Sequence, residues 1–338
     1  MAAAFAQIKL DAQAMDCCFH HSELCITIAL INGSLETYSL SHCAAAEGDA
    51  FVTAEAGWSS DVHSDSCRCV TYIPTKDAVF SGSKDGSLVV SDVKTGEEVF
   101  RQSDAHEGAE ISSITCTNEN LVASGDEEGS VTMWDLRQDK SVATFHEHDD
   151  FISDFAFHGR DNCLVSTSGD GTMAIYDLKK SKRRARSESD ADDEYLSCQL
   201  MKNGKKVVVG TQMGVLSLFS WGYFNDCSDR FPGHPQSIDA IVKFDEDTVL
   251  TGAGDGAIRI LSILPNKLVG VLGVHEEDAP VERVSLSHDK LLLASVSHDS
   301  IVKLWSLKCL QEDDADEDEE EPPTGPGERP TEILCKYS

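Results

Sequence analysis

Positive charge is what this 338-residue chain has least of: 28 Lys+Arg stand against 59 Asp+Glu, a formal net charge of -31. Such an excess repels phosphate and acidic lipid, so sequence-independent binding to DNA or RNA and attachment to acidic membrane surfaces are both disfavoured. Apolar residues never run unbroken for the roughly 18 positions that a membrane-spanning helix needs. The opening MAAAFAQIKLDAQAM has neither a basic n-region nor a sustained apolar h-region, which argues against a secretory signal and for a cytosolic or nuclear protein. In that reducing setting the twelve cysteines are expected as thiols. Cys25, Cys67, Cys69, Cys116, Cys163 and Cys198 sit in alternating apolar runs, and the absence of any C-x-x-C pair leaves zinc without support. At the end, Lys336 fills the slot after Cys335 where a prenylation box wants an aliphatic residue.

Catalytic signatures are missing too. There is no G-x-S-x-G elbow, no G-x-x-x-x-G-K-[ST] phosphate loop and no H-E-x-x-H metal pair. The acids at 190–194 lack the glycine of a calcium loop. The run from Gly252 to Gly256 imitates part of a dinucleotide loop, but no helical pattern follows it. The Asn32-Gly33-Ser34 sequon reads as a hairpin turn in a chain that is not secreted. No catalytic residue, cofactor or metal ligand is expected. With 41% hydrophobic residues the composition is nevertheless that of a globular protein.

What the chain does have is a repeat. A tight turn followed five residues later by an aromatic or its substitute recurs at Gly33, Gly86, Gly129, Gly171, Gly214, Gly256 and Ser300, with spacings of 53, 43, 42, 43, 42 and 44. Short alternating runs flank each turn, as in Leu121-Val122-Ala123-Ser124 before Gly129 and Val131-Thr132-Met133-Trp134 after it, so strand, turn, strand is the local structure. Four strands per unit of 42 to 44 residues is the spacing of a WD-repeat blade, which predicts an all-β, seven-bladed β-propeller over 1–310. The repeat overrides the length prior of about two domains. A second series agrees: His63, His106, His148, His234 and His275 each precede a unit's first strand, with unit five skipped.

Resemblance to WD-repeat proteins implies that such a His joins a hydroxyl, the turn Asp and the strand aromatic in a network that pins the blade. The sets expected are His148 with Ser166, Asp170 and Tyr176, then His63 with Asp85, His234 with Asp255, and His275 with Asp299. Too little chain follows Trp305 for a strong outer strand, so Phe5 to Leu10 is expected to pair beside Ile301 to Trp305 and close the ring.

Several runs are not dictated by blade geometry, among them Ser228-Asp229-Arg230-Phe231 and Ile263-Leu264-Pro265-Asn266. With LMKNGKKVVVGTQMGVLSLFSWGYFNDC before them and VERVSLSHDKLLLASVSHDSIVKLW after, the chain resembles the WD repeat-containing protein 55 family, most strongly over 195–307 and more faintly over 1–178. That resemblance implies a propeller scaffold of the nucleus, largely the nucleolus and also found in the cytoplasm, linked to ribosomal RNA maturation and ribosome biogenesis. Plant members look like clients of a cullin-type ubiquitin ligase adaptor. One departure stands out, since family members often end in a basic tail and this chain ends in an acidic one.

Three segments are candidate sites. Trp134, Asp135 and Arg137 match the box by which many propellers dock on the damaged-DNA-binding adaptor of cullin ligases; only Arg137 is not required by the blade, and its planar fork can bind a partner's acids or carbonyls. Lys179, Lys180, Lys182, Arg183, Arg184 and Arg186 read either as a nuclear-import signal or as an outer strand guarded against aggregation by charge. Ser187 and Ser189 precede Asp190 and Asp192 at the spacing an acidophilic kinase prefers. The tail 311–338 carries eleven acids and two bases and is expected to be disordered, either solubilising or contacting basic proteins such as pre-ribosomal factors. The acidity is not confined to it, because residues 1–310 still carry a net -22. The expectation is a monomeric, non-enzymatic scaffold for proteins; the alternative is a ligase substrate receptor held through Arg137.

Overall fold

A computed structural model of the chain describes residues 5–44, 50–118, 120–138, 140–190, 192–276, 279–308 and 310–311, with the side chains of 42–53 excepted. The acidic tail lies outside the described residues apart from Gln311. The chain divides into two units, Met1–Ser306 and Leu307–Ser338, and the first contains all the strands.

Burial follows a gradient within each repeat unit. In the fourth, every residue of Cys163–Ser168 is buried, whereas Lys182–Arg186 is exposed or half-buried. A strand buried on both faces must be covered by another sheet on each side, and a radial stack of sheets does this for all seven units at once. The strands form seven four-stranded antiparallel sheets, so the seven-bladed propeller is confirmed. Hydrophobic clusters bridge neighbouring blades: Val131 and Met133 of blade three pack with Phe155, Leu164 and Tyr176 of blade four. The nine described cysteines are free thiols, five of them buried.

The turn glycines are needed on two counts. Gly129 has φ +85°, and a Cβ there would sit 2.6 Å from the His148 carbonyl oxygen of the loop leading into the next blade. In the seventh turn Ser300 holds the same left-handed geometry at φ 56°. The long first spacing has a local cause, because blade one's outer hairpin, Ser34–Ala44 and Ala50–Asp61, is extended.

The ring closes as the sequence suggested. Ala6–Lys9 pairs antiparallel with Ile301–Ser306 in the register Ala6↔Leu304 to Lys9↔Ile301, and the Phe5 and Leu10 amides donate to Leu304 and Ser300. Ile8 is buried among Val302, Leu304 and blade-one residues Ile26 and Ile28. Blade seven therefore takes three strands from the end of the ring and its outer strand from the beginning. Deleting residues 1–10 is expected to lower the melting temperature by about 10 °C, at roughly 2–4 °C for each kcal/mol of lost packing and pairing. Calorimetry of the truncated chain measures this, and an unchanged melting curve would contradict the closure.

Candidate functional site

The histidine networks are built as expected in two blades and differently in two others. In blade four, His148 Nε2 lies 2.7 Å from Ser166 Oγ and Nδ1 3.2 Å from Asp170, while Ser166 donates to the Tyr176 hydroxyl. In blade seven, His275 meets Asp299 at 2.8 Å and Ser295 at 2.7 Å, and Trp305 Nε1 donates to the same Ser295 oxygen. Burial alone would raise the Asp170 pKa, yet the bonds from His148, Thr172 and the Asp149 amide outweigh it and hold the carboxyl well below its ordinary range.

Two expected pairs are corrected. His63 bonds Ser81 and Ser87, not Asp85, which stands 3.8 Å away and instead accepts from Ser64 and the Ser87 amide. His234 does not bond Asp255, because Arg259, four residues on across the turn, takes that carboxylate at 2.9 Å. His234 Nδ1 is left buried without a partner, and its Nε2 meets Thr251 at 2.9 Å. Burial pushes both His63 and His234 down to about 4, so each is held neutral. A further set went unread: His106 joins Asp126 and Ser124 at 2.7 Å each, and Trp134 Nε1 donates to Ser124. There the Asp stands three positions before the turn glycine instead of one, which hid it.

The channel through the ring holds features that the motifs did not point to. Every inner strand shifts register at the same place, leaving one bulged residue per blade: Met15, Arg68, Ser112, Ser153, Leu196, Asp239 and Glu282. Bulges re-aim side chains, and these seven line a cavity of about 350 Å³. Each lies 17 or 18 residues before its turn position, a signal that only the repeat register carries.

Next to the bulged residues, three charged groups are sunk in the channel. Asp16 accepts from the Val70 amide of blade two and Asp154 from the Cys198 amide of blade five, so each carboxylate fastens its blade to the next. Arg283 of blade seven donates to the Asp239 carbonyl and, across the ring, to the Ser153 carbonyl of blade four, both at 3.2 Å. Burial raises Asp16 to about 6 against the pull of Arg283 and two backbone amides. Asp239 is likewise raised by burial to about 6, with Glu282 adding and Ser237 and Arg283 opposing. Among the described residues no group of His, Cys, Asp and Glu side chains is arranged to hold a metal ion.

Charge is divided between the two faces. The loops entering each inner strand and the turns between the two middle strands share the face on which the cavity opens, because strand direction alternates within a blade. Among described residues those loops hold 20 Asp+Glu and a single Lys, Lys84. The described residues of the loops on the far face hold nine acids and nine bases.

Sequence comparison bears on the whole ring. A family model described as WDR55 matches residues 5–310. The chain belongs to the WDR55 family. Relatives include WD repeat-containing protein 55 of Arabidopsis thaliana, 40% identical over 90% of this chain and 84% of the relative. The human WD repeat-containing protein 55 is 36% identical over 90% and 77%. A Cryptococcus neoformans relative named WD repeat-containing protein JIP5 is 36% identical over 88% and 80%. The resemblance that the sequence carried most strongly over 195–307 thus extends to the first four blades.

On this WDR55-family ring the remaining candidates have definite places. Trp134 is buried in the blade core and Asp135 is buried beside it. Arg137 is exposed, but its fork is already closed on Asp135, Nε to Oδ1 at 2.9 Å and Nη2 to Oδ2 at 2.6 Å. The fork read as available to a partner is therefore occupied within the chain. The basic run divides between the turn Lys179–Lys180 and the outer strand Lys182–Arg186. Arg183 pairs with Glu147, Arg184 with Asp161, and Arg186 with Asp149 and Asp170. Ser187 is buried and its hydroxyl oxygen accepts from the Met173 amide, so the expectation of a kinase site there is corrected: the hydroxyl is not accessible. Ser189 is exposed.

Two outcomes follow from this geometry. Ser295→Ala leaves both His275 Nε2 and Trp305 Nε1 buried without a partner, at about 1–3 kcal/mol each. Thr251→Val strands only His234 Nε2, so in urea unfolding it should cost about half as much. The second concerns pH. The Asp239 carboxyl is raised from 3.8 to about 6, so its ionisation destabilises the folded ring. That penalty is absent below about 4, grows through 4–6 and is complete above. Asp239→Asn should melt a few degrees above the parent at pH 8 and lose the advantage as pH falls below about 4, as read by thermal scans across pH.

Proposed function

We propose that this WDR55-family propeller is a non-catalytic scaffold of the nucleus, chiefly the nucleolus and also present in the cytoplasm, that assembles protein partners in ribosomal RNA maturation and ribosome biogenesis. The observation that supports it is the division of charge between the faces. A face with 20 acids and one Lys among its described loop residues attracts basic proteins and repels RNA. Pre-ribosomal particles are rich in basic proteins built around RNA, so a scaffold of this charge would grip the protein component. Import through 179–186 would draw first on Lys179 and Lys182, since Lys180 is paired with Asp177 and the three arginines are engaged in ion pairs.

Affinity capture of the tagged full-length chain from growing cells tests the reading, with Arg137→Ala as a second bait of unchanged melting temperature. Pre-ribosomal proteins recovered equally by both are expected. Recovery chiefly of a cullin-ligase adaptor, lost with Arg137→Ala, would overturn it in favour of a substrate receptor.

A further inference from the structure

The mouth of the channel is where cavity, charge and backbone irregularity coincide. Its 350 Å³ is at the small end of ligand pockets, room for one or two side chains and too little for a dinucleotide-sized cofactor. The wall is uneven in charge. On the side of blades two and three, Arg68 lies 3.3 Å from Glu127 and 3.5 Å from Glu110, so its charge is already matched by two carboxylates. On the side of blades six and seven, Asp239 and Glu282 stand at successive bulge positions, and the nearest cation, Arg283, spends its bonds on two backbone carbonyls. His298, which meets Glu282 at 2.7 Å, sits half-exposed at the surface. The bulges aim these side chains inward instead of into the ladder. The acidic loops encircle this cavity, so a cation approaching the face is drawn towards the axis.

We propose that the acidic face docks an extended Lys/Arg-rich segment of a partner protein and that the central cavity receives one of its basic side chains between Asp239 and Glu282. The proposal rests on the reading of the ring as a protein scaffold and adds the surface used and the chemistry recognised there. An Arg or Lys threads such a site because its apolar stem can pass Met15 and Leu196 while its head meets the two carboxylates. A phosphate-bearing ligand is refused by the same field.

The test is a binding titration of a fluorescent twelve-residue peptide of alternating Arg, Lys and Gly against the full-length chain at low salt. Asp239→Asn/Glu282→Gln is compared with a control, Glu23→Gln/Glu97→Gln, which removes two exposed charges from the far face. The cavity pair is expected to weaken binding about tenfold and the control less than about twofold, with both variants melting within a few degrees of the parent. Equal losses would mean diffuse attraction to an acidic protein, and no loss with the cavity pair would mean that the channel mouth is not used; either overturns the proposal. Failure here while pre-ribosomal proteins are still captured from cells would leave the scaffold reading standing, so the two are distinguishable.

Discussion

No blade of this protein can bury its own middle strands, and that single constraint orders everything else. A four-stranded sheet whose middle strands are apolar on both faces has to be covered twice, and only a closed ring covers all seven sheets equally. Closure depends on one antiparallel pairing, Ala6–Lys9 with Ile301–Ser306, which joins the start of the ring to its end in a single blade. The alternative, a seventh blade open at its outer edge, would leave Val302 and Leu304 less covered and a row of unpaired backbone groups available to other chains.

Within that frame the blades are pinned by different chemistry at equivalent positions. Blades three, four and seven tie a histidine to an aspartate and a serine. Blade two replaces the aspartate with a second serine, and blade six gives its aspartate to an arginine and leaves one histidine nitrogen unsatisfied. The ring tolerates this spread because each blade is also held by its neighbours. The network is thus one fastening among several, and its imperfect copy in blade six does not open the fold.

The repeat, the blade count and the closing strand were legible because each follows from periodic patterns that sterics enforce: a turn residue in left-handed geometry, alternation along short strands, and a last unit one strand too short. Network partners were legible only where spacing was regular. Asp126 was missed through its shifted turn position, and Arg259 was not foreseen as a rival for Asp255 because the pairing runs from strand to turn. The cavity residues were illegible for another reason. Met15, Arg68, Ser112, Ser153, Leu196, Asp239 and Glu282 share no chemistry, only a register position, and nothing in a single strand marks where its ladder will slip. Charge was visible as a total, but its allocation to one face needed the direction of every strand.

Arg283 has a mechanical meaning apart from its charge. A ring of seven wedges, each touching only two others, deforms most easily by flattening, since ovalisation bends every contact slightly and breaks none. The Arg283 side chain runs from blade seven to a carbonyl of blade four, nearly opposite, and to blade six beside it. It acts as a spoke. Flattening along that diameter has to compress or break a hydrogen bond that no pair of adjacent blades provides, and the shape of the mouth is kept round from within.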